Sequence, residues 1–184
     1  MGLDMYLYKK HYVKNWDHMT PDERHTVLVK KGEKETTIKP ERISEITEEV
    51  AYWRKANQIH KWFVDNVQDG DDECQEAYVT RTKLKELREV CKKVLESTPL
   101  IDGKVKNGWQ MNEFGSWTPI IENGKVMVST EVAQQLLPPQ SGFFFGGTDF
   151  DQYYYEDVKY TLEKLDEILA EPEDGASFYY ESSW

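Results

Sequence analysis

Between Pro40 and the Asp69-Gly70-Asp71-Asp72 breaker, Ile43, Ile46, Val50, Trp53, Asn57, His60 and Val64 recur at steps of three and four. That spacing puts them on one stripe of an α-helix, with Tyr52, Ala56, Ile59 and Phe63 widening it on one side. Glu45, Glu48, Glu49, Lys55, Lys61 and Asp65 fall on the opposite face. The pattern predicts a long amphipathic helix over about 41–67 around which the domain is built. Asn57 and His60 are polar members of its inward stripe, and a buried polar group without a partner costs roughly 1–3 kcal/mol. Two readings follow. Either Trp53 stacks on a planar ligand while Asn57 and His60 hydrogen-bond it and Arg54 or Lys61 meets an anion, or Asn57 and His60 tie down loop backbone from inside.

Around that helix the alternation of Leu3, Met5 and Leu7 with Asp4, Tyr6 and Tyr8 predicts a half-buried strand. Thr20-Pro21-Asp22-Glu23 has the form of a capped helical turn. Strands at 26–29 and 36–38 are expected to pair as a hairpin about Lys31-Gly32-Glu33. A second helix is expected over 82–96. Residues 99–117 show no sustained period and predict an irregular excursion. Thr118–Val128 forms a hairpin about Asn123-Gly124, and together these make 99–128 an insertion. A short helix to Leu137, a buried strand at Phe143–Phe145 and a last helix opened by Asp149-x-x-Gln152 follow. The tail 173–184 carries Phe178, Tyr179, Tyr180 and Trp184 and is expected to dock. The fold class is α+β: one domain over 1–184, a small, mostly antiparallel sheet of the N-terminal strand, the 26–38 hairpin and Phe143–Phe145, packed against three longer helices.

A length of 184 residues suits a single core. The net charge of −11 argues against direct nucleic-acid binding. Acidity concentrates at the end, where residues 141–184 hold eleven carboxylates against Lys159 and Lys164. No apolar run reaches the roughly 20 residues that cross a bilayer. No secretory leader is visible, and Tyr6 stands where a myristoylation signal needs Ser or Thr. Cytoplasmic location and two reduced thiols, Cys74 and Cys91, are the expectation.

A second candidate is Phe145-Gly146-Gly147-Thr148-Asp149 followed by Tyr153, because a glycine-rich turn before a helix exposes N–H groups to an anion. Plain capping by Asp149 or Asp151 is the competing reading. Asp69–Glu73 lacks the spacing of a calcium loop. His11, His18 and His25 share no face. Neither Gly-x-Ser-x-Gly nor His-Glu-x-x-His occurs. No metal, cofactor or catalytic set is expected. The candidate ligand-binding residues are Trp53, Arg54, Asn57, His60, Lys61, Gly146, Gly147, Thr148 and Tyr153.

Three blocks, Met1-Gly2-Leu3-Asp4-Met5-Tyr6-Leu7, the Tyr52–Phe63 stretch YWRKAN-x-IHKWF, and Gly142-Phe143-Phe144-Phe145-Gly146-x-Thr148-Asp149-x-Asp151-x-Tyr153-Tyr154, carry a resemblance. In them the chain resembles a family of small uncharacterised proteins of phages, prophages and bacteria. The resemblance implies a viral or mobile-element origin, with the host cytoplasm as working compartment. Phage proteins of this size without catalytic motifs often disarm host defences. Three routes stay open here: sequestering a small, anionic, nucleotide-like ligand without turnover, in which a homo-oligomer interface could take part; occupying a basic host protein as an acidic inhibitor or nucleic-acid mimic; and hydrolysis with His60 as general base.

Overall fold

A computed structural model describes residues 2–184 of the chain. Its centre is an antiparallel sheet of four strands, β1 (Asp4–Tyr12), β4 (Glu45–Arg54), β5 (Ala77–Val79) and β8 (Ser177–Ser183), in the order β4-β1-β8-β5. Leu3, Met5 and Leu7 are wholly buried beneath the helices, while Tyr6 and Tyr8 stack on the other face with ring centroids 5.7 Å apart. Helices α1 (Asn57–Val67), α2 (Arg81–Ser97) and α4 (Gln152–Ala170) contribute Ile59, Phe63, Leu84, Leu87, Val158 and Leu165 to the same core. The α+β class and the antiparallel sheet under three longer helices agree with the sequence reading.

The long helix does not. Its first half is β4, paired with β1 so that Asp4 faces Arg54, Met5 faces Trp53 and Leu7 faces Ala51. A bulge between Leu7 and Tyr8 leaves Val50 as the extra residue. Ala51 and Trp53 point inward with Tyr52 and Arg54 outward, a period of two that the three-and-four spacing had masked. The β-branched and aromatic residues Ile46, Thr47, Val50, Tyr52 and Trp53 favour a pleated partner for β1 over a helix. Lys55, at φ 61°, then turns the chain through left-handed space, and the helix begins only at Asn57.

The sheet also recruits other strands than expected. In the 26–38 region only β2 (Lys30–Lys31) and β3 (Lys34–Glu35) pair, as a separate exposed ribbon. Phe143–Phe145 forms a turn, closed by the Phe145 N–H to the Gly142 carbonyl at 3.3 Å. The tail supplies β8, an interior strand between β1 and β5.

The 99–128 segment is mostly strand, with one register shift between Lys106 and Trp109. Strands β6 (Leu100–Met111) and β7 (Trp117–Met127) form one long hairpin. Its turn lies at Asn112–Ser116, where the Asn112 Oδ1 accepts from the Phe114 and Ser116 N–H groups. Asn123-Gly124 sits within β7, with Gly124 opposite Gly103. A Cβ on Gly124 would fall 2.6 Å from the Val105 side chain, so this glycine serves close packing and makes no turn. A short helix, α3 (Glu131–Leu136), leads from the hairpin toward the Gly142–Gly147 loop.

Candidate functional site

The first turn of α1 separates two polar clusters of opposite character. On one side lie Asn57 and His60. The Asn57 amide donates to the Phe145 carbonyl at 3.0 Å and the Gly147 carbonyl at 2.7 Å, and its Oδ1 accepts from the Gln140 N–H at 2.9 Å. His60 is wholly buried; its Nδ1 meets the Tyr180 hydroxyl at 2.8 Å and its Nε2 the Asp72 carboxylate at 2.9 Å. The other Asp72 oxygen accepts from the Trp184 indole at 3.1 Å, and the Trp184 ring meets Phe145 edge to face. These bonds fasten the glycine loop, the 69–74 turn and the C-terminus onto α1. Neither ring nitrogen of His60 has a lone pair free for a substrate, so general-base hydrolysis finds no support in its position.

On the other side opens a cleft of about 840 Å³ between the main body and the β6–β7 hairpin. Its mouth carries the cations Arg54, Lys55 and Lys106. The Lys106 ammonium bridges to Asp149 at 3.2 Å and lies 5.7 Å from the centre of the Trp109 ring. Gln58, Asp151, Tyr154 and Asp157 form its deeper wall, and Phe144 and Tyr153 add aromatic surface. Gly146 closes the loop side at φ 92°, where an added Cβ would stand 3.0 Å from the Lys55 Cβ and 3.3 Å from its carbonyl oxygen. Two left-handed residues, Lys55 and Gly146, thus lie back to back.

The deep wall is electrostatically tense. Asp151 caps α4 by accepting from the Tyr153 and Tyr154 N–H groups at 2.9 and 3.3 Å, yet burial still raises its carboxyl above the usual range. Burial pushes the Asp157 carboxyl up to about 7, against the lowering effect of a long hydrogen bond from Gln58 at 3.3 Å. Glu156 and Asp151 add repulsion in the same direction. A carboxyl in a cleft that titrates near neutrality marks a candidate functional group.

Of the residues singled out in the sequence, Arg54, Gly146, Gly147, Thr148 and Tyr153 line the cleft. Asn57 and His60 stand behind it in the core. Trp53 is buried, its indole donating to the Thr161 hydroxyl at 2.8 Å, so no face is open for stacking. Lys61 pairs with Asp65 at 2.7 Å along α1, away from the cleft. Sequence reasoning missed, among others, Lys55, which it had placed on the solvent face of a helix, and Gln58, Lys106, Trp109, Asp151 and Asp157 as lining residues. For Asp157 a signal existed: with Tyr154, Val158 and Thr161 it continues the inward stripe of α4 as a polar member, as Asn57 and His60 do in α1. Lys106 and Trp109 lay in a stretch without readable period.

Among the described residues no group of His, Cys, Asp or Glu side chains could hold a metal ion, and no helix is long and apolar enough to cross a membrane. Comparisons with family models, curated proteins and solved structures find no match for the chain.

Proposed function

We propose that this chain is a phage-type accessory protein of the counter-defence kind, which binds a small, anionic, nucleotide-like ligand in the cleft and sequesters it without turnover. One observation carries the reading. Three cations from two separate parts of the chain, β4–α1 and the hairpin, converge on one mouth, although the chain as a whole bears a charge of −11. The same cleft holds Asp149, paired with Lys106, and the more deeply set Asp151 and Asp157, so the cations offer an anion a place at the mouth and not at depth. Flat rings on both walls, Trp109 and Tyr153, fit a planar group. The phage origin rests on the resemblance of the three sequence blocks.

The acidic-mimic reading has less support. Along α4, Glu163, Asp166 and Glu167 pair with Lys159, Arg88 and Lys164 instead of forming a band of free charge. A thermal-shift and calorimetry panel of nucleotides and cyclic nucleotides tests the proposal. Stabilisation by at least one of them, lost in Arg54→Ala/Lys106→Ala, is expected, and chromatography should recover that ligand unchanged. Equal melting of both proteins with every nucleotide would remove the binding reading, and an altered ligand would remove sequestration.

A further inference from the structure

Donors and acceptors are segregated along the cleft. At the deep wall, Gln58 and Asp151 are only 3% and 7% exposed. The Gln58 amide gives one of its two N–H donors to Asp157 and keeps its Oε1 as an acceptor. The Asp151 Oδ1 takes both capping N–H groups, leaving Oδ2 free of them. Asp157 receives one side-chain hydrogen bond from the described residues, on Oδ2, so Oδ1 is open. The nearby Tyr154 hydroxyl is turned away, donating to the Leu137 carbonyl at 2.9 Å. What remains open at the deep wall is therefore three acceptor oxygens against one amide N–H of Gln58, whereas the charged donors Arg54, Lys55 and Lys106 line the cleft from exposed positions. These oxygens open to the cleft, since the buried side-chain atoms without a partner among the described residues lie elsewhere, at His11, Gln68 and Ser182; acceptors placed so favour a ligand that brings donors over an analogue that lacks them.

On the reading that the cleft binds a nucleotide-like anion, we propose that it selects a nucleotide whose base presents an edge of N–H donors, as guanine does. The base lies inward, its N–H groups on the open oxygens of Asp157, Asp151 and Gln58, and the phosphate stays at the mouth on Arg54, Lys55 and Lys106. The aromatic rings of Trp109 and Tyr153 cover the base faces. The inward order follows from solvation: the anion keeps company with water and exposed cations, and the base replaces water on the buried acceptors.

The arrangement predicts a proton linkage. A donor edge needs the Asp157 carboxyl ionised, and that group, facing Asp151 and Glu156 on its own helix and Gln58 from α1, titrates near 7. Donor recognition should then strengthen as pH rises, by about tenfold between pH 6 and pH 8, the ratio of ionised fractions for a group of that pKa. A base offering acceptors to the protonated carboxyl would give the opposite slope.

Calorimetry with 3′,5′-cyclic GMP, cyclic IMP and cyclic AMP provides the test, because a cyclic phosphodiester keeps one charge over this range and the ligand's own titration drops out. Cyclic GMP is expected to bind at least tenfold more tightly than cyclic AMP, with cyclic IMP between them, and to tighten from pH 6 to pH 8. Asp157→Asn should flatten that slope and narrow the preference, with circular dichroism verifying its fold. Lys106→Ala should weaken all three ligands alike and keep the slope. Equal affinities for the three bases, or a slope that falls with pH, would overturn base-inward donor recognition while leaving the anion-binding cleft intact. Absence of binding by all three, together with no response to any nucleotide in the wider panel, would overturn both.

Discussion

The two sides of the first turn of α1 bury similar chemistry and leave it in different states. Around Asn57 and His60 each side-chain nitrogen and the Asn57 oxygen has a partner within 3.0 Å. Around Gln58, one residue along α1, and Asp157 of α4, the single bond between them is 3.3 Å long and oxygens are left open. A saturated buried network specifies structure, because nothing in it can be traded for a ligand. An unsaturated one that opens to a cleft holds polar atoms in readiness for a ligand. The contrast separates a fastening from a site using hydrogen bonds alone.

The largest effect should come from breaking the fastening. Asn57→Leu removes three hydrogen bonds and strands the Gln140 N–H and the Phe145 and Gly147 carbonyls. At roughly 1–3 kcal/mol for an unsatisfied buried group, partly relieved by water, the loss should be about 3–5 kcal/mol. For a domain of this size that is about a 10 °C fall in Tm. Urea unfolding monitored by Trp fluorescence measures it, and a loss under 1 kcal/mol would mean that the loop holds itself without Asn57.

Much of this was readable in the chain and some was not. The β1 alternation, α2, α4 and the inward placement of Asn57 and His60 follow from periodicity, because each of those elements packs one face on one core. The 45–54 strand was misread because its three-and-four spacing suits a helix, and only the need of β1 for a neighbour, a tertiary fact, decides between the two periods. The β6–β7 hairpin was hidden for a different reason. Most of its side chains are exposed on both faces, so β6 has no enforced alternation, and of β7 only the stretches about 118–121 and 125–127 were legible as strands, with the turn misplaced between them. Five lining residues were found through glycine and charge, while Lys106 and Trp109 could not be, since they meet the cleft only through a pairing that spans 100–127.

On the unsaturated side the next effect has the opposite sign. The folded pKa of Asp157, about 7, lies above its ordinary value of 3.8. Between those values the folded state holds a proton that the unfolded state has released, so stability falls as pH rises through the window. Asp157→Asn should remove the slope this group contributes and stabilise the protein at pH 8. The gain should be on the order of 2 kcal/mol, after discounting for the opening to the cleft. Denaturant midpoints for both proteins at pH 5 and pH 8 decide it; parallel midpoints would mean that Asp157 is solvated and the cleft is not under tension.

A smaller loss is expected at the seam between the two sides. Gly146→Ala forces a side chain into left-handed backbone and against Lys55, which should cost about 1–2 kcal/mol. Because the loop also forms the cleft wall, nucleotide affinity should fall with it. Unchanged affinity in a destabilised variant would detach the wall from the site.

The smallest change in stability should accompany Lys106→Ala. Its bridge to Asp149 joins two side chains that are largely open to solvent, and such pairs contribute roughly 0–1 kcal/mol. Removing it should shift Tm by no more than about 2 °C. The same substitution takes away one of three cations at the mouth and leaves Asp149 unpaired beside the anion's expected position, so nucleotide affinity should fall about tenfold, less at high salt. A residue that matters little to folding and much to binding is what the unsaturated side requires. If Lys106→Ala instead lowered stability and left binding untouched, the hairpin would be a brace for the body and the cleft would lose one of its walls as a recognition surface.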